Sequence, residues 1–350
     1  MFELGLSDEG QLVQDTARRF ATQRLAPRLR EHERARGVEV PLVEEFSRLG
    51  LATIDLPETL GGQGQGSSFK VLVLEELATV DAGAALALDR LGLAAYALAE
   101  LGADAEIANS VRRAEFRAGA VEDVEGRLTM TDGTLSGSIP WVAADHLDAA
   151  VVLREHDALL VYESIALSPV RVCGLEAAGA SELRLREAPI ARRIEDGVVL
   201  SRIRSRMRLH VAALLVGAAR GAAAYATRYA TERTAFGRPI AHHQALAFLL
   251  VDMATAVDVA RVALWRAAAT IDRGSDARWE AASALAEAAE QALFVAPSAV
   301  QVLGGHGFMK DHPVEKYMRD IRTLAQLVGG RDQAELAAAE LVASHEVGLR

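Results

Sequence analysis

The sequence predicts a mainly α-helical protein with a small β domain in its middle. Hydrophobic residues make up 51% of the 350 residues and aromatic residues only 5%, so the core must be built mostly from Ala, Leu and Val, which favours packed helices. In the middle of the chain, the helical spacing of apolar residues gives way to a stretch of short runs separated by glycine. At roughly 100 to 200 residues per domain, a chain of this length forms one to three domains.

Residues 1–114 are predicted to form an N-terminal helical domain. Val13, Ala17 and Phe20 recur at the i, i+4 and i+7 positions of one helical face, which predicts an amphipathic first helix. The same periodicity over 69–101 predicts further helices. A bundle of helices at the start of the chain is the expected result.

Residues 115–200 are predicted to form the β domain. Glycines punctuate this stretch, and the runs Ala149 to Leu153 and Ala158 to Tyr162 are apolar, short and partly β-branched. Because the stretch is short for a domain, we expect a small sheet or barrel that leans on helices. From Ser201 the Ala- and Leu-rich helical pattern returns, so residues 201–350 are predicted to form a second helical bundle.

Composition also excludes several classes of partner. With 38 basic and 48 acidic residues, the formal charge of −10 leaves no basic footprint for nucleic acid or for an anionic membrane surface. No uninterrupted apolar run reaches the roughly 18 residues of a membrane span. Cys173 is the only cysteine, which excludes an intramolecular disulfide and fits a reducing cytoplasm. We therefore expect a cytoplasmic protein without nucleic-acid or membrane partners.

Two segments of the C-terminal part carry specific motifs. The first runs from Glu232 to Ile240 and is followed by Gln244, and the second runs from Gln301 to Phe308 and is followed by the pair Arg319-Asp320. In this order and at this separation, they resemble the acyl-CoA dehydrogenase family of flavoproteins. Weaker matches in the same order extend the resemblance over nearly the whole chain.

The resemblance implies an N-terminal helical domain, a middle β-barrel and a C-terminal four-helix bundle, with FAD as the cofactor. In relatives, the two C-terminal segments touch an FAD that is held mainly by a neighbouring subunit, and an aromatic residue lies beside the flavin. The matching positions here are Arg233, Phe236, Gln244, Gln301, Gly304, Gly305 and, beside the flavin, Trp141. Arg208, expected to open the first C-terminal helix, matches an arginine near the substrate.

The residue types suit a bound dinucleotide. Arg233 can place a guanidinium fork against pyrophosphate oxygens, and the backbone at Gly304 and Gly305 can approach a ligand because no Cβ intervenes. By resemblance, the substrate is an acyl-CoA thioester from fatty acid or steroid metabolism, and the electron acceptor is an electron-transfer flavoprotein. The resemblance also implies a homodimer, a homotetramer, or a heterotetramer with a catalytic homologue.

The usual catalytic base is missing from the sequence. Members of the family remove the α-proton of the thioester with a carboxylate while hydride leaves for the flavin. Most relatives carry this glutamate eight residues after the Arg-Asp pair, where this chain has Val328. Others carry it just before the arginine that matches Arg208, where this chain has Met207, and no acidic residue occurs over 197–231. The catalytic residue is therefore unknown.

Three functions remain open from the sequence. The chain could be a flavin-binding acyl-CoA dehydrogenase or its base-deficient partner subunit, a non-catalytic structural subunit, or a flavin enzyme of the same fold with other chemistry. Intact Arg233, Phe236 and Gln244 argue against the second. His242, His243 and His306 are not expected to bind a metal, since adjacent histidines diverge on a helix. Glu75 and Glu76 are expected on a solvated helix face.

Overall fold

Helices before and after a central β region define the architecture, which confirms the predicted fold class. The structure is a computed structural model that describes residues 5–102 and 105–344. The helices before the strands are α1 (Asp8–Phe20), α2 (Leu29–Ala35), α3 (Val40–Arg48), α4 (Ser67–Ala78), α5 (Ala82–Leu88), α6 (Ala94–Leu101) and α7 (Ala105–Arg112).

The first helix begins at a cap that the sequence encodes. The Ser7 side chain accepts a hydrogen bond of 3.1 Å from Gly10 N, which satisfies one of the unpaired N–H groups at the start of α1. Ala17 and Phe20 are buried, as their spacing predicts. After Phe20 the chain continues through a π-helical turn, Ala21–Leu25, and a 3₁₀ turn, Ala26–Arg28, so the helical path extends past α1.

The central strands form two four-stranded sheets. They are β1 (Ala118–Glu122), β2 (Leu128–Thr131), β3 (Thr134–Val142), β4 (Ala149–Leu153), β5 (Ala158–Val161), β6 (Ile165–Pro169), β7 (Ser181–Pro189) and β8 (Arg192–Ile194). The strand orders are β1-β4-β5-β8 and β2-β3-β7-β6, and among the strands of the described ranges only β1 and β4 pair in parallel. One hydrophobic cluster joins residues of both sheets, including Leu135, Val152 and Leu183. The runs predicted at 149–153 and 158–162 contain the buried strands β4 and β5, and β5 ends at Val161, one residue before the end of the predicted run.

Long helices make up the C-terminal part. They are α8 (Gly197–Glu232), α9 (Gln244–Asp272), α10 (Arg278–Leu303), α11 (Val314–Leu324) and α12 (Gly330–Ala343), with a small hairpin of β9 (Thr234–Ala235) and β10 (Arg238–Pro239) after α8. Within residues 5–102 and 105–344, α8 alone is long and apolar enough to cross a membrane, but 78% of its apolar window is buried inside the protein. That burial is typical of a core helix.

Two glycines let α8 lie close to the end of α4. A Cβ at Gly217 would stand 2.5 Å from Glu75 O, and a Cβ at Gly221 would stand 2.3 Å from Thr79 O. Both distances are too short for a side chain, so only glycine permits this backbone contact. The contact places the acidic residues of α4 against α8.

By internal packing, the chain divides into two compact units. One combines Val71–Ala82 with the chain up to Pro27 and from Arg208 onward, and the other combines Arg28–Lys70 with Gly83–Met207. The units are discontinuous in sequence, and helices α4 and α8 contribute to both. The division into domains 1–114, 115–200 and 201–350 stays a prediction.

Candidate functional site

The hairpin after α8 carries two of the predicted cofactor residues. Ala235 pairs with Arg238, which leaves Phe236 and Gly237 as a two-residue turn. Both have positive φ, +54° and +78°, as a tight hairpin with the right-handed strand twist requires. Gly237 adopts this backbone freely, whereas Phe236 is strained there and its side chain is 95% exposed. The hairpin holds an aromatic ring in solvent against a conformational preference, which is typical of a binding position.

Arg233 and Arg238 lie at opposite ends of this hairpin and have different surroundings. Arg238 Nη2 lies 3.3 Å from His243 Nδ1, a contact within the hairpin region. The exposed Arg233 guanidinium has no hydrogen-bond or ion-pair partner among the residues that the structure describes. Arg233 is therefore available to an anionic ligand, while Arg238 has a structural contact.

Gln244 is exposed at the first position of α9, directly after His243. His243 Nε2 lies 3.3 Å from Ala235 O and fastens the hairpin to the start of α9. The structure thus brings Arg233, Phe236 and Gln244 into one local unit. Within the described ranges, no group of three or more His, Cys, Asp or Glu side chains has the geometry of a metal site.

The second predicted segment is the end of α10 with the 3₁₀ turn Gly304–Phe308. Gly304 has φ +57° and ψ −134°, a backbone that side chains with a Cβ rarely adopt. A Cβ at Gly304 or Gly305 would meet no atom within 4 Å, so the backbone here is open to a ligand. At Gly307 a Cβ would lie 2.4 Å from Val300 O, which shows that the turn folds back onto α10. Gln301 is exposed on the last turn of α10.

A hydrogen bond joins the end of α8, just before the first segment, to the second segment. The Tyr229 hydroxyl of α8 lies 2.7 Å from His306 Nδ1 in the glycine turn. Arg233 N donates to Tyr229 O over 2.8 Å, so the same tyrosine also supports the start of the hairpin. The tertiary structure therefore links residues near 233 with residues near 305, which the sequence separates widely.

Trp141 lies on β3, within the unit that contains the β domain. The pairing of β3 with β7 shifts register between Ile139 and Val142, so Trp141 lies at an irregularity of the strand. Such an irregularity changes the direction in which a side chain points from the sheet. Its indole Nε1 is buried and has no hydrogen-bond partner in the part of the chain described. A buried donor without a partner is uncommon and is consistent with a ligand acceptor.

Arg208 does not open a helix, contrary to expectation. Asp196 Oδ1 accepts from Val198 N over 2.8 Å and from Val199 N over 3.2 Å, and this cap starts α8 at Gly197. Arg208 is half-buried further along the helix. Because the Asp196 side chain satisfies the first N–H groups, the helix begins before Arg208 rather than at it.

Aliphatic side chains occupy both positions that the sequence analysis predicts for the base. Met207 is 1% exposed on α8, and Val328 is 8% exposed in the 3₁₀ turn Leu327–Gly329. Val328 has φ +55° and ψ +44°, a left-handed backbone that is rare for a β-branched residue. Neither side chain can accept a proton.

The environments of the next carboxylates along the chain do not support a role as the catalytic base. Asp332 and Glu335 are exposed on α12. Arg331 Nε donates to Glu335 Oε1 over 2.6 Å, so Glu335 already has a cationic partner on its own helix. We find no structural reason to assign either residue as the base.

The prediction that Glu75 and Glu76 lie on a solvated face is wrong. Their exposures are 0% and 3%. Arg261 Nε lies 3.1 Å from Glu75 Oε2, and Arg220 Nη2 lies 2.9 Å from Glu76 Oε1. Burial raises the pKa of Glu75, and the nearby Arg220 and Arg261 oppose that rise. Charge partners on α8 and α9 make the burial tolerable, and the local sequence of α4 gives no signal of them.

The sequence analysis also did not predict a second buried ion cluster. Lys316 Nζ lies 2.7 Å from Asp81 Oδ1 and also contacts Asp320, and all three residues are at most 2% exposed. Burial lowers the pKa of Lys316, but Asp320 and Asp81 outweigh burial and hold that pKa above the ordinary lysine value. The i, i+4 spacing of Lys316 and Asp320 was a possible signal, but nothing in the sequence reveals Asp81 as the third member.

Comparisons with known proteins agree with this architecture. The family model described as the acyl-CoA dehydrogenase N-terminal domain matches residues 7–112, and the model of the C-terminal domain matches residues 198–340. Benzylmalonyl-CoA dehydrogenase of Aromatoleum aromaticum is 29% identical, with 94% of this chain and 96% of the relative covered. The probable acyl-CoA dehydrogenase FadE25 of Mycobacterium tuberculosis is 30% identical, with 94% of both chains covered.

Solved structures share the fold. Butyryl-CoA dehydrogenase from Megasphaera elsdenii superposes with a TM-score of 0.86 at 23% identity, covering 98% of this chain and 100% of that chain. Glutaryl-CoA dehydrogenase from Mycobacterium smegmatis superposes with a TM-score of 0.86 at 20% identity, covering 99% of this chain and 97% of that chain. At these identities the likeness establishes the fold.

Proposed function

Because the chain belongs to the acyl-CoA dehydrogenase family of FAD-binding flavoproteins, we propose that it is a base-deficient, FAD-binding subunit that desaturates an acyl-CoA thioester with a partner subunit. The observation that carries the proposal is the pair of buried aliphatic residues, Met207 and Val328, at the two base positions. A family oxidoreductase that keeps its cofactor residues but lacks the base needs a carboxylate from elsewhere.

The residues present fit FAD. Arg233 has an exposed guanidinium without a partner among the described residues, which suits a pyrophosphate oxygen. A Cβ at Gly304 or Gly305 would meet no atom within 4 Å, so a phosphate group can approach the backbone closely at this turn. In the other compact unit, the buried Trp141 Nε1 lacks an acceptor within the described ranges.

When bound, FAD would supply a two-electron acceptor for the hydride of the substrate. The chain's own residues have binding roles in this proposal. Arg233 holds negative charge, Phe236 offers an apolar surface, and Gln244 and Gln301 offer amide groups that both donate and accept hydrogen bonds. Arg208 is proposed to contact the substrate. No residue of the chain is assigned the proton transfer.

Exposed apolar side chains support an oligomer. Phe248, Val251, Val259 and Val262 lie on one face of α9, and each is between 46% and 62% exposed. Contiguous exposed apolar side chains are a feature of protein interfaces. We propose that a second subunit covers this face of α9, either another copy of the chain or a catalytic homologue. An electron-transfer flavoprotein is proposed as the electron acceptor.

The proposal is tested by the visible spectrum of the purified chain, alone and co-expressed with the products of its genomic neighbours. We expect a flavin band near 450 nm, and bleaching on anaerobic addition of acyl-CoA thioesters only in the complex. Absence of flavin in both preparations would instead identify a structural subunit. Flavin that no acyl-CoA reduces in any complex would instead indicate different flavin chemistry.

Replacing Arg233 by alanine should weaken FAD binding more than replacing Arg238 by alanine. A charge-assisted contact to phosphate contributes roughly 1.5 to 3 kcal/mol, whereas an exposed contact such as that of Arg238 with His243 contributes less than about 1 kcal/mol. The dissociation constant of FAD, measured by flavin fluorescence, should therefore rise about 10-fold to 150-fold in R233A. Equal retention of FAD in R233A and R238A would remove Arg233 from the site.

A further inference from the structure

Two tyrosines on α8 bind two histidines of the loop that follows α10. Tyr229 OH lies 2.7 Å from His306 Nδ1, and Tyr225 OH lies 2.7 Å from His312 Nδ1. The tyrosines are one helical turn apart, so both rings point from the same face of α8. The rings also meet edge to face, with Tyr225 and His312 centroids 5.9 Å apart at 71° and Tyr229 and His306 centroids 6.2 Å apart at 81°.

The two pairs form one cluster. The ring centroid of Tyr229 lies 5.7 Å from that of His312 at 83°, so Tyr229 contacts both histidines. The two imidazoles lie 5.8 Å apart and are tilted by 32°. Arg228 stacks on the outer ring, with its guanidinium carbon 5.0 Å from the Tyr225 centroid. We call Tyr225, Tyr229, His306 and His312 the Tyr-His latch.

The two large apolar side chains of this loop add little hydrophobic burial. Its large apolar side chains, Phe308 and Met309, are 72% and 51% exposed. Inside the loop, Met309 N donates to His306 O and His312 N donates to Met309 O, both over 3.0 Å. These bonds close local turns but do not attach the loop to α8. The hydrogen bonds of the latch, by contrast, join the loop to α8.

We propose that the Tyr-His latch is a positioning device that holds the Gly304–Gly305 backbone in the conformation that binds FAD. The inference rests on the proposed function, since it takes this turn as part of the FAD site. Gly304 and Gly305 have no Cβ and have open space around them, so no side-chain packing at these two positions restrains the backbone. His306 follows Gly305 directly, and its bond to Tyr229 fixes the turn next to the residue that supports Arg233. A loop restrained before binding loses less conformational entropy when the ligand arrives.

The test uses the full chain with Tyr225 and Tyr229 replaced by phenylalanine, singly and together. Each substitution keeps the ring and removes one hydroxyl. We expect the dissociation constant of FAD to rise about 3-fold to 10-fold in each single variant, as the loss of a neutral hydrogen bond implies, and further in the double variant. In the FAD-free chain, amide hydrogen exchange over residues 305–312 should accelerate in the same order.

Thr227→Val is the matched control. Thr227 lies between the two tyrosines, and its hydroxyl donates to Ala223 O over 2.8 Å on the same helix. The variant removes a hydroxyl from the same turn without touching the latch, so FAD affinity and loop exchange should stay at wild-type values. Thermal unfolding of all variants shows whether α8 remains intact.

Substitution of His306 separates positioning from packing. Gln keeps a group that can hydrogen-bond Tyr229, whereas Leu fills space without one. H306Q should bind FAD more tightly than H306L. Wild-type FAD affinity and loop exchange in the double Phe variant would overturn the latch. Failure of the wild-type chain to bind FAD would overturn the proposed function instead, and hydrogen exchange would still decide whether the latch restrains the loop.

Discussion

With an acyl-CoA thioester added anaerobically, the flavin of the unmodified chain alone should be reduced far more slowly than the flavin of the variant Val328→Glu. A positioned general base accelerates proton transfer roughly 10²-fold to 10⁴-fold, and neither Met207 nor Val328 can act as one. Burial of the introduced carboxyl at this position, where the native side chain is 8% exposed, should favour a raised pKa and thus a stronger base. Stopped-flow absorbance near 450 nm measures the rate.

Val328→Gln is the control for this experiment. Glutamine matches glutamate in size but cannot accept the α-proton at neutral pH, so V328Q should stay as slow as the unmodified chain. Both replacements also remove the β-branched residue from a left-handed backbone, so any effect of relieved strain is common to the two. Rapid bleaching by the unmodified chain alone would restore the ordinary dehydrogenase function and require an unrecognised base.

Replacing Lys316 by methionine should destabilise the fold by roughly 3 to 5 kcal/mol, because it leaves the buried carboxylates of Asp81 and Asp320 without their cation. The folded pKa of Lys316 lies above the unfolded value of about 10.4. Its stabilising contribution is therefore complete at neutral pH and is lost only as the pH rises through the folded value. Urea unfolding at pH 7 measures the free energy of unfolding.

Arg331→Met provides the comparison for a surface ion pair. Arg331 lies 2.6 Å from Glu335 and 3.2 Å from Glu290, but its side chain is 40% exposed. Pairs of this kind contribute from zero to about 1 kcal/mol, so R331M should unfold close to the wild-type midpoint. Equal unfolding free energies of K316M and R331M would show that the Lys316 cluster does not stabilise the fold.

Periodic apolar spacing determined much of the secondary structure because each helix or strand carries its own pattern. The runs at 149–153 and 158–162 became β4 and β5, and the spacing of Ala17 and Phe20 identified the buried face of α1. Composition also pointed to packed Ala- and Leu-rich helices, and the motifs near 233 and 301 identified the family. These properties are local, so neighbouring residues suffice to read them.

Only the tertiary structure decided which distant side chains meet. The burial of Glu75 depends on Arg220 and Arg261, and the bond between Tyr229 and His306 joins α8 to the turn that follows α10. The sequence of α4 suggested a solvated acidic face, because an isolated carboxylate favours water. Whether a polar group is buried depends on partners that the fold brings to it from far along the chain, and no local pattern records those partners.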